Sequence, residues 1–467
     1  MKATSKLLLL IALTMAGLAT NASAQKRYEL TIKEAVELAF KNVAEIKNAE
    51  IDYKIQIAKN KEISGQALPQ LTGSASISKF LQLPLFLFPD ASRIGIYDVL
   101  KKEDVRMGNG QPITTQPEFT FREISFQQPW NAGATANLSQ LLFQPDVFVG
   151  LKARRAALDY YSISTDVVKE RIKDSAYRRY FAILITEKQL EFIDSGVVRL
   201  RKLYHDDSVL YKNGFAEKLD LDKVQVQLTN LQTTQTVLKN TISLAYAGLK
   251  YAIGASQKDT VVLRESLSTD AIKEDVLDDN FQYTDRKEIQ LLDASRKLQQ
   301  LDVKRNQLGY IPTLSTFMSY GVQGLGQKFI TDNSTAWFRS AQIGLSLSVP
   351  IFDGFQRKYK VEQARLSLQK LDNSIGNVKE VIDLQQTISK ESLKNALLTL
   401  DAQQRNVQLA GSVYNTTKKK FEAGLGSSFE TLQADNDLQT AQANYFNALY
   451  NAIIAKVGYQ SALGKLP

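Results

Sequence analysis

The sequence predicts a mixed fold written twice, in which long helical hairpins carry pairs of amphipathic strands. Three observations predict it. The stretch Tyr211-Lys212-Asn213-Gly214-Phe215 recurs 210 positions later as Phe421-Glu422-Ala423-Gly424-Leu425, and the same offset relates Tyr204 to Tyr414, Leu228 to Leu438 and Ile253-Gly254 to Leu463-Gly464. Helical periodicity runs from Pro145 to about Lys212 with only Gly150 and Gly196 interrupting it, a length no compact domain needs. Segments of period two flank these runs in both halves. A glycine that closes one helix before another begins marks a helical hairpin, because glycine enters the left-handed region cheaply. A repeat of this length overrides the three ordinary domains that 467 residues would otherwise suggest.

The chain opens with Lys2 and Lys6, an apolar core from Leu7 to Ala19 and the small-residue pattern Ala22-Ser23-Ala24. Residues 1–24 therefore read as a secretory signal peptide, with the mature chain starting at Gln25. Losing Lys2 and Lys6 takes the formal charge from +9 to +7. Bases alternate with acids in Lys169-Glu170-Arg171, in Glu187-Lys188, and from Arg199 and Lys202 to Asp206 and Asp207. Such runs read as solvated helix faces and give no case for nucleic acid. With no cysteine in the sequence, disulfides, thiolate metal sites and an acylated N-terminal cysteine are excluded. After the signal, no apolar run approaches the roughly 20 residues of a spanning helix. Entry into a membrane would have to be as a closed β-barrel.

The first repeat is expected over 25–258. Thr31 and Glu34 stand at capping-box spacing, so a helix starts there and runs to about Ser64, before Gly65 and Pro69. Strands are expected over about 68–80 and 131–143. In the first, Leu71, Gly73, Ala75 and Ile77 alternate with Thr72, Ser74, Ser76 and Ser78. In the second, Ala132, Ala134, Ala136 and Leu138 alternate with Asn131, Gly133, Thr135 and Asn137. A polar face suits a water-filled lumen and an apolar one lipid, while a single such segment equally fits a sandwich. Between them, 80–130 reads as a long surface loop or extended hairpin. Its aromatics (Phe86, Phe88, Tyr97, Phe121, Phe126, Trp130) either form an interfacial belt or pack on themselves.

A long helix follows over about 146–212, roughly 90 Å at 1.5 Å per residue, then the tip turn 213–216. Beyond it Leu221, Val224, Leu228, Leu231, Gln235, Leu238, Ile242, Ala245 and Leu249 keep the 3,4 spacing of a coiled-coil seam. Residues 259–285 read as a polar, strand-poor linker. The second repeat, 286–467, has strands expected over about 311–322 and 341–352, a long helix over 355–422 and a tip turn at 423–427. Its seam is smaller: Thr431, Ala434, Leu438, Ala441, Tyr445, Ala448, Ala452 and Ala455. Tyr310 to Leu314 matches Ala67 to Leu71 at an offset of 243, whereas Phe143 and Phe352 differ by 209, so the extra length of the first repeat lies between its strands. Each chain supplies four strands, which cannot close a barrel. Several chains must pool them.

In the opening LTIKEAVELAFKN, the helix-strand-strand-helix order written twice, the junctions GQALPQL and GYIPTL, and the tip motifs YKNGFAEKLDLDKVQ and FEAGLGSSFETLQA, the chain resembles the TolC family of bacterial outer-membrane efflux proteins. The resemblance covers essentially the whole mature length. It implies a mixed α-helical barrel and β-barrel: a homotrimer with a 12-stranded barrel in outer-membrane lipid, continued by a long periplasmic coiled-coil tunnel. It also implies docking through the tips, at Gly214, Phe215, Gly424 and Leu425, to a periplasmic adaptor (membrane fusion protein) of an inner-membrane RND or ABC transporter. Localisation is then the outer membrane, extending into the periplasm, and the function is passive export in a tripartite efflux or type I secretion system.

Family members often carry an acid six residues after the tip glycine; here those positions are Asp220 and Glu430. Some hold the mouth closed with a tyrosine three before the second tip glycine and an arginine two after it. Here these are Phe421 and Gly426, so that lock cannot form in the same way. A second acid nine after the glycine is Gln433 here, and Lys223 in the first half. The tunnel mouth is thus expected at Asp220, Phe421, Gly426, Glu430 and Gln433, with the second hairpin as the inner gate and the first as an outer brace. Ser427 and Glu430 also stand at capping-box spacing, which is compatible with a pore role.

No enzyme and no cofactor is expected. The single histidine, His205, sits beside Asp206 and Asp207 near a helix end. Gly321-Val322-Gln323-Gly324-Leu325-Gly326 has the look of a phosphate loop but leads from a strand into a loop. The alternative reading is a secreted or periplasmic coiled-coil scaffold or adaptor without a pore.

Overall fold

The computed structural model describes residues 26–89, 91–113, 121–265 and 281–467. The expected signal peptide lies outside the described residues, as do positions 266–280 of the expected linker. Two compact units divide the chain. One takes the described parts of Met1–Ala58, Ala153–Leu301 and Gln363–Pro467, the other those of Lys59–Lys152 and Asp302–Glu362.

The chain begins with strand β1 (Arg27–Leu30) and helix α1 (Ile32–Asn42), which opens with the Thr31–Glu34 capping box. The Thr31 N–H donates to the Glu34 carboxylate at 2.8 Å, and the Thr31 hydroxyl accepts from the Glu34 N–H at 3.4 Å. The single helix expected to Ser64 is instead two, because Val43 is extended (φ −65°, ψ 128°) and α2 (Ala44–Gln66) restarts after it. The break coincides with a close approach: a Cβ on Gly254 would lie 2.7 Å from Asn42 Cβ and 2.9 Å from the Val43 nitrogen.

The strand-bearing unit is an antiparallel sheet. β2 (Gln70–Lys79), β5 (Trp130–Phe143), β7 (Thr313–Gly326) and β8 (Ala336–Ser348) lie side by side in the order β2-β5-β7-β8. The expected strand at 341–352 starts five residues earlier, and that at 311–322 ends four later; the Phe338↔Gln323 and Leu325↔Ala336 pairs extend the ladder at the loop end. Alternation is kept across the sheet, with Ala134 opposite Val322 and Val322 opposite Arg339 on one face. On the other face the Ser74 and Thr135 hydroxyls are hydrogen-bonded at 2.7 Å. Between β2 and β5 the described residues form an extended hairpin, the second of the two expected readings, with a helix in its connection. β3 (Phe86–Pro89) pairs antiparallel with β4 (Phe121–Ile124), separated in sequence by helix α3 (Ala91–Lys102). Phe126 packs on Phe86 and Phe88 with ring centroids 5.8 and 5.5 Å apart, so these three aromatics meet one another.

The helical unit holds the two hairpins except for the first turns of their long helices, Pro145–Lys152 and Gln356–Glu362. The first joins α4 (Pro145–Lys212) to α5 (Lys218–Ala252); the second joins α7 (Gln356–Glu422) to α8 (Ser428–Ala462). The short α6 (Lys287–Leu308) precedes β7. The stretch expected to be strand-poor contains β6 (Thr260–Leu263), which pairs parallel with β1. Its Thr-Val-Val-Leu run is too short to show a period.

Side chains of α1, α4, α5, β6 and α8 meet in the largest apolar cluster, which includes Ala35, Ile183, Leu249, Val261 and Val457. Tyr180 is fully buried there, and its hydroxyl donates to the Leu30 carbonyl at 3.0 Å. Burial pushes its phenol up to about 12. Of the paired helices, α8 is the enclosed one. It buries fourteen residues, whereas α5 buries four, Val224, Leu228, Leu231 and Leu249, all on its predicted seam. Alanines on the α8 seam let neighbours approach closely, and α8 packs on Ile185 of α4 and Leu400 of α7 in a second cluster.

Candidate functional site: the helical tips

Each hairpin turns through a Schellman motif. Gly214 has φ +79° and Gly424 has φ +72°. In the first turn the Gly214 N–H donates to Tyr211 C=O (3.0 Å) and the Phe215 N–H to Leu210 C=O (2.9 Å). In the second the Gly424 N–H donates to Phe421 C=O and the Leu425 N–H to Lys420 C=O, both at 2.9 Å. These bonds satisfy the last carbonyls of α4 and α7 and require the left-handed glycine. A hydrophobic residue follows each glycine, and neither finds cover among the described residues: Phe215 is 82% exposed and Leu425 81%.

The next helices start differently. At α8 the Ser427 hydroxyl accepts from the Glu430 N–H at 3.2 Å, the forward half of the expected capping box. Glu430 turns back toward Gly426, where a Cβ would lie 3.5 Å from its Oε2 and 3.3 Å from the Phe421 nitrogen. Phe421, Gly426 and Glu430 are therefore one local assembly. At α5 the N-cap is Glu217, which makes no side-chain cap bond. Asp220 is half-buried and 3.5 Å from Lys223 Nζ. Lys223 in turn lies 4.8 Å from the centre of the Phe429 ring, so the two tips touch. Phe421 does not stand free at the tip: it is half-buried against the cluster of Val197, Leu200, Val224 and Leu432. Gln433 is exposed and its amide donates to Asp437 at 3.0 Å.

Two buried acids sit just behind the tips. Asp207, expected on a solvated face, is 0% exposed; Ser428, the first residue of α8, donates its hydroxyl to it. Burial, with Asp220 and Asp206 adding repulsion, pushes the Asp207 carboxyl up, against the Ser428 hydrogen bond that pulls it down. Two turns along α8, Asp435 is 1% exposed and accepts from Arg199 Nε at 2.6 Å and from the Gln439 amide. The Arg199 guanidinium lies 5.4 Å from the Tyr414 ring centre, so one arginine of α4 engages both helices of the second hairpin. Burial, and next to it Asp435, raises the Tyr414 phenol. One sequence signal pointed to Asp207: it continues the 3,4 spacing of the buried Leu200 and Leu203, which places it on the seam of α4.

Comparison with known proteins agrees with this architecture. The profile of the outer membrane efflux protein family matches residues 284–465. Outer membrane protein TolC of Vibrio cholerae is 22% identical over 351 residues, 71% of this chain and 76% of that protein. TolC of Escherichia coli K12 is 20% identical over 343 residues, 71% of this chain and 69% of that protein. The Campylobacter jejuni CmeC outer membrane channel shares the fold with a TM-score of 0.69 over 93% of this chain and 85% of that one, at 16% identity. With two repeats, a four-stranded sheet and glycine-turned hairpins, the chain is similar to the outer membrane efflux proteins, TolC among them, in sequence and in fold.

Proposed function

We propose that three copies of this chain form a passive conduit across the bacterial outer membrane, with twelve pooled strands as its wall. The similarity to outer membrane efflux proteins and to TolC supports an outer-membrane channel of an efflux or secretion system. The observation that carries the trimeric barrel is the sheet. Among the described residues β2 and β8 each have a single partner, leaving a free hydrogen-bonding edge on both sides. Ile343, Leu345 and Leu347 of β8 stand exposed on one face, Ile343 at 79%, while Ser340, Gln342 and Ser346 point to the other. An open edge beside an apolar face is untenable in lipid, and closure by further copies resolves both. The exposed apolar face also counts against a scaffold that never meets a membrane.

Within this reading the tips form the periplasmic mouth. Phe215 and Leu425 are solvent-facing apolar side chains beside rigid glycine turns, suited to a periplasmic adaptor that couples the conduit to an RND or ABC transporter. The pump supplies the energy. Glu430, carried close to Phe421 and Gly426, contributes three carboxylates to the mouth and favours cations there. Single-channel recording in planar bilayers tests the proposal. Wild-type protein is expected to give discrete conductance steps with cation preference, and Glu430→Gln to move the reversal potential in a salt gradient toward zero. No steps would reject the conduit; an unmoved reversal potential would reject the pore role of Glu430.

A further inference from the structure

The strands β2, β5, β7 and β8 contain no Asp and no Glu, and their charges are Lys79 and Arg339, both basic. Both stand on the apolar face. Lys79 follows Leu71, Gly73, Ala75 and Ile77 along β2, and Arg339 precedes Ala341, Ile343, Leu345 and Leu347 along β8, in the row of Ala75, Ala134 and Val322. Both also stand at one end of the sheet. Lys79 is the last residue of β2 and Arg339 the fourth of β8, at the end away from α2, α4, α6 and α7. Neither base makes an ion pair among the described residues. Asp332, in the β7–β8 connection, is already held by Lys328 at 3.8 Å and by the Ser334 N–H at 2.9 Å.

The chain has two tryptophans, and both flank these bases. Trp130 pairs across the ladder with Lys79, whose Nζ lies 5.3 Å from the indole centre, and it meets the Phe329 ring edge-on at 5.0 Å. Trp337 lies two residues before Arg339 on the same face, and its indole covers Gly324, where a Cβ would come within 2.9 Å of the ring. Indoles on a lipid-facing surface mark the headgroup level, and a long basic side chain there lays its stem on the apolar band and carries its charge to the headgroups. Phosphate is the anion that this level supplies. Closing the barrel strengthens the demand for it. β8 and β2 are the two edges of the sheet, so β8 of one copy meets β2 of the next, and the bases of two copies come to one seam with no acid on either strand. Like charges facing each other across strands repel, and an anion between them turns that repulsion into binding.

We infer that the loop-side rim of the barrel binds a phosphorylated lipid headgroup at the seam between copies. Arg339 of one copy and Lys79 of the next hold its phosphates, the guanidinium with its planar fork, and Trp337 and Trp130 pack on the lipid beside them. This rests on the reading of the sheet as part of a membrane barrel.

Because the chain has no other tryptophan, the emission of the whole protein reports this rim. Full-length protein folded in dodecyl maltoside is titrated with lipid A carrying both phosphates, with the same lipid stripped of phosphate, and with inorganic phosphate. The bisphosphorylated lipid is expected to shift the emission saturably, the phosphate-free lipid to bind at least about tenfold more weakly, and millimolar inorganic phosphate to give no shift. Lys79→Gln/Arg339→Gln should weaken binding of the bisphosphorylated lipid by about tenfold or more, while Lys79→Arg/Arg339→Lys, which keeps both charges, stays within about threefold of wild type. Equal affinity of wild type for the two lipids overturns the site, as does equal affinity of wild type and the double Gln variant. A shift by inorganic phosphate that matches the lipid's also overturns it, leaving an anion site without a lipid. Single-channel steps from the same preparation keep the two readings apart. Conductance without phosphate selectivity among the lipids rejects this site alone, and a wild-type protein that never conducts rejects the conduit and the site with it.

Discussion

Asp207 is the residue where charge and burial conflict most. Its carboxyl is raised, chiefly by burial. A carboxyl raised in the fold stabilises it fully only below the ordinary carboxylate value near 3.9, and that contribution is lost as pH rises through the raised value. Asp207→Asn removes the titration while keeping an oxygen for Ser428. Whatever its offset at acid pH, the variant is expected to gain melting temperature relative to wild type as pH climbs from about 4 to about 7. Parallel melting curves across that range would show that Asp207 titrates as a solvated acid. The Ser427–Glu430 cap was legible in the sequence because capping is a matter of three residues. Asp207 was not read correctly, because Asp206-Asp207 beside His205 has the composition of a surface, and its burial comes from α8, whose Ser428 lies 221 positions away. The 3,4 phase from Leu200 and Leu203 was the one local clue.

Among elements, the glycine-turned helix ends divide into two kinds. At Gly424 a Cβ would meet nothing within 4 Å, so only the left-handed backbone (φ +72°) resists substitution. Gly424→Ala should therefore cost about 1 kcal/mol, the strain of that region for a residue with a Cβ. At Gly254, φ is +67° and a Cβ would press on the Asn42 and Val43 backbone at 2.8 and 2.9 Å. Gly254→Ala should cost about 2 to 5 kcal/mol, strain and overpacking together. Thermal unfolding of the two variants in detergent distinguishes them, and equal losses would contradict the close approach at the α1–α2 break. Both glycines stood out in the sequence through the repeat. What the sequence did not disclose was the break itself, since Val43 carries no helix-stop signature and its extended conformation accompanies packing from 211 residues away. The short β6 was missed for the same reason: its four residues acquire meaning only beside β1.

For the whole molecule, the decisive question is which face of the sheet meets lipid. Ile343→Arg places a charge on the exposed apolar face, and near the bilayer midplane this costs about 2–4 kcal/mol. Folding into lipid vesicles, followed by heat-dependent gel mobility, should show a reduced folded fraction for Ile343→Arg. Ser346→Arg, on the opposite face, should insert as wild type does. Equal yields would mean that the sheet does not lie in a membrane with this orientation. The alternation that sets these faces was fully visible in the sequence, because a period of two survives any error in strand ends. The strand limits were not, since β7 and β8 extend into their connecting loop through residues such as Gly324 and Phe338 whose alternation is irregular.

The two repeats match in one further respect. Gly254 seats on the backbone at Asn42 and Val43, and Gly464 seats on the Asp285 backbone beside the Arg286 side chain, so the same joint is built in both halves. A ring made from a chain with a single repeat would have to use identical tips throughout. Writing the plan twice in one chain breaks that symmetry. One tip is free to keep Asn213 and an uncapped helix start while the other acquires Gly426 and the Ser427 cap, and neither change has to be tolerated in both roles.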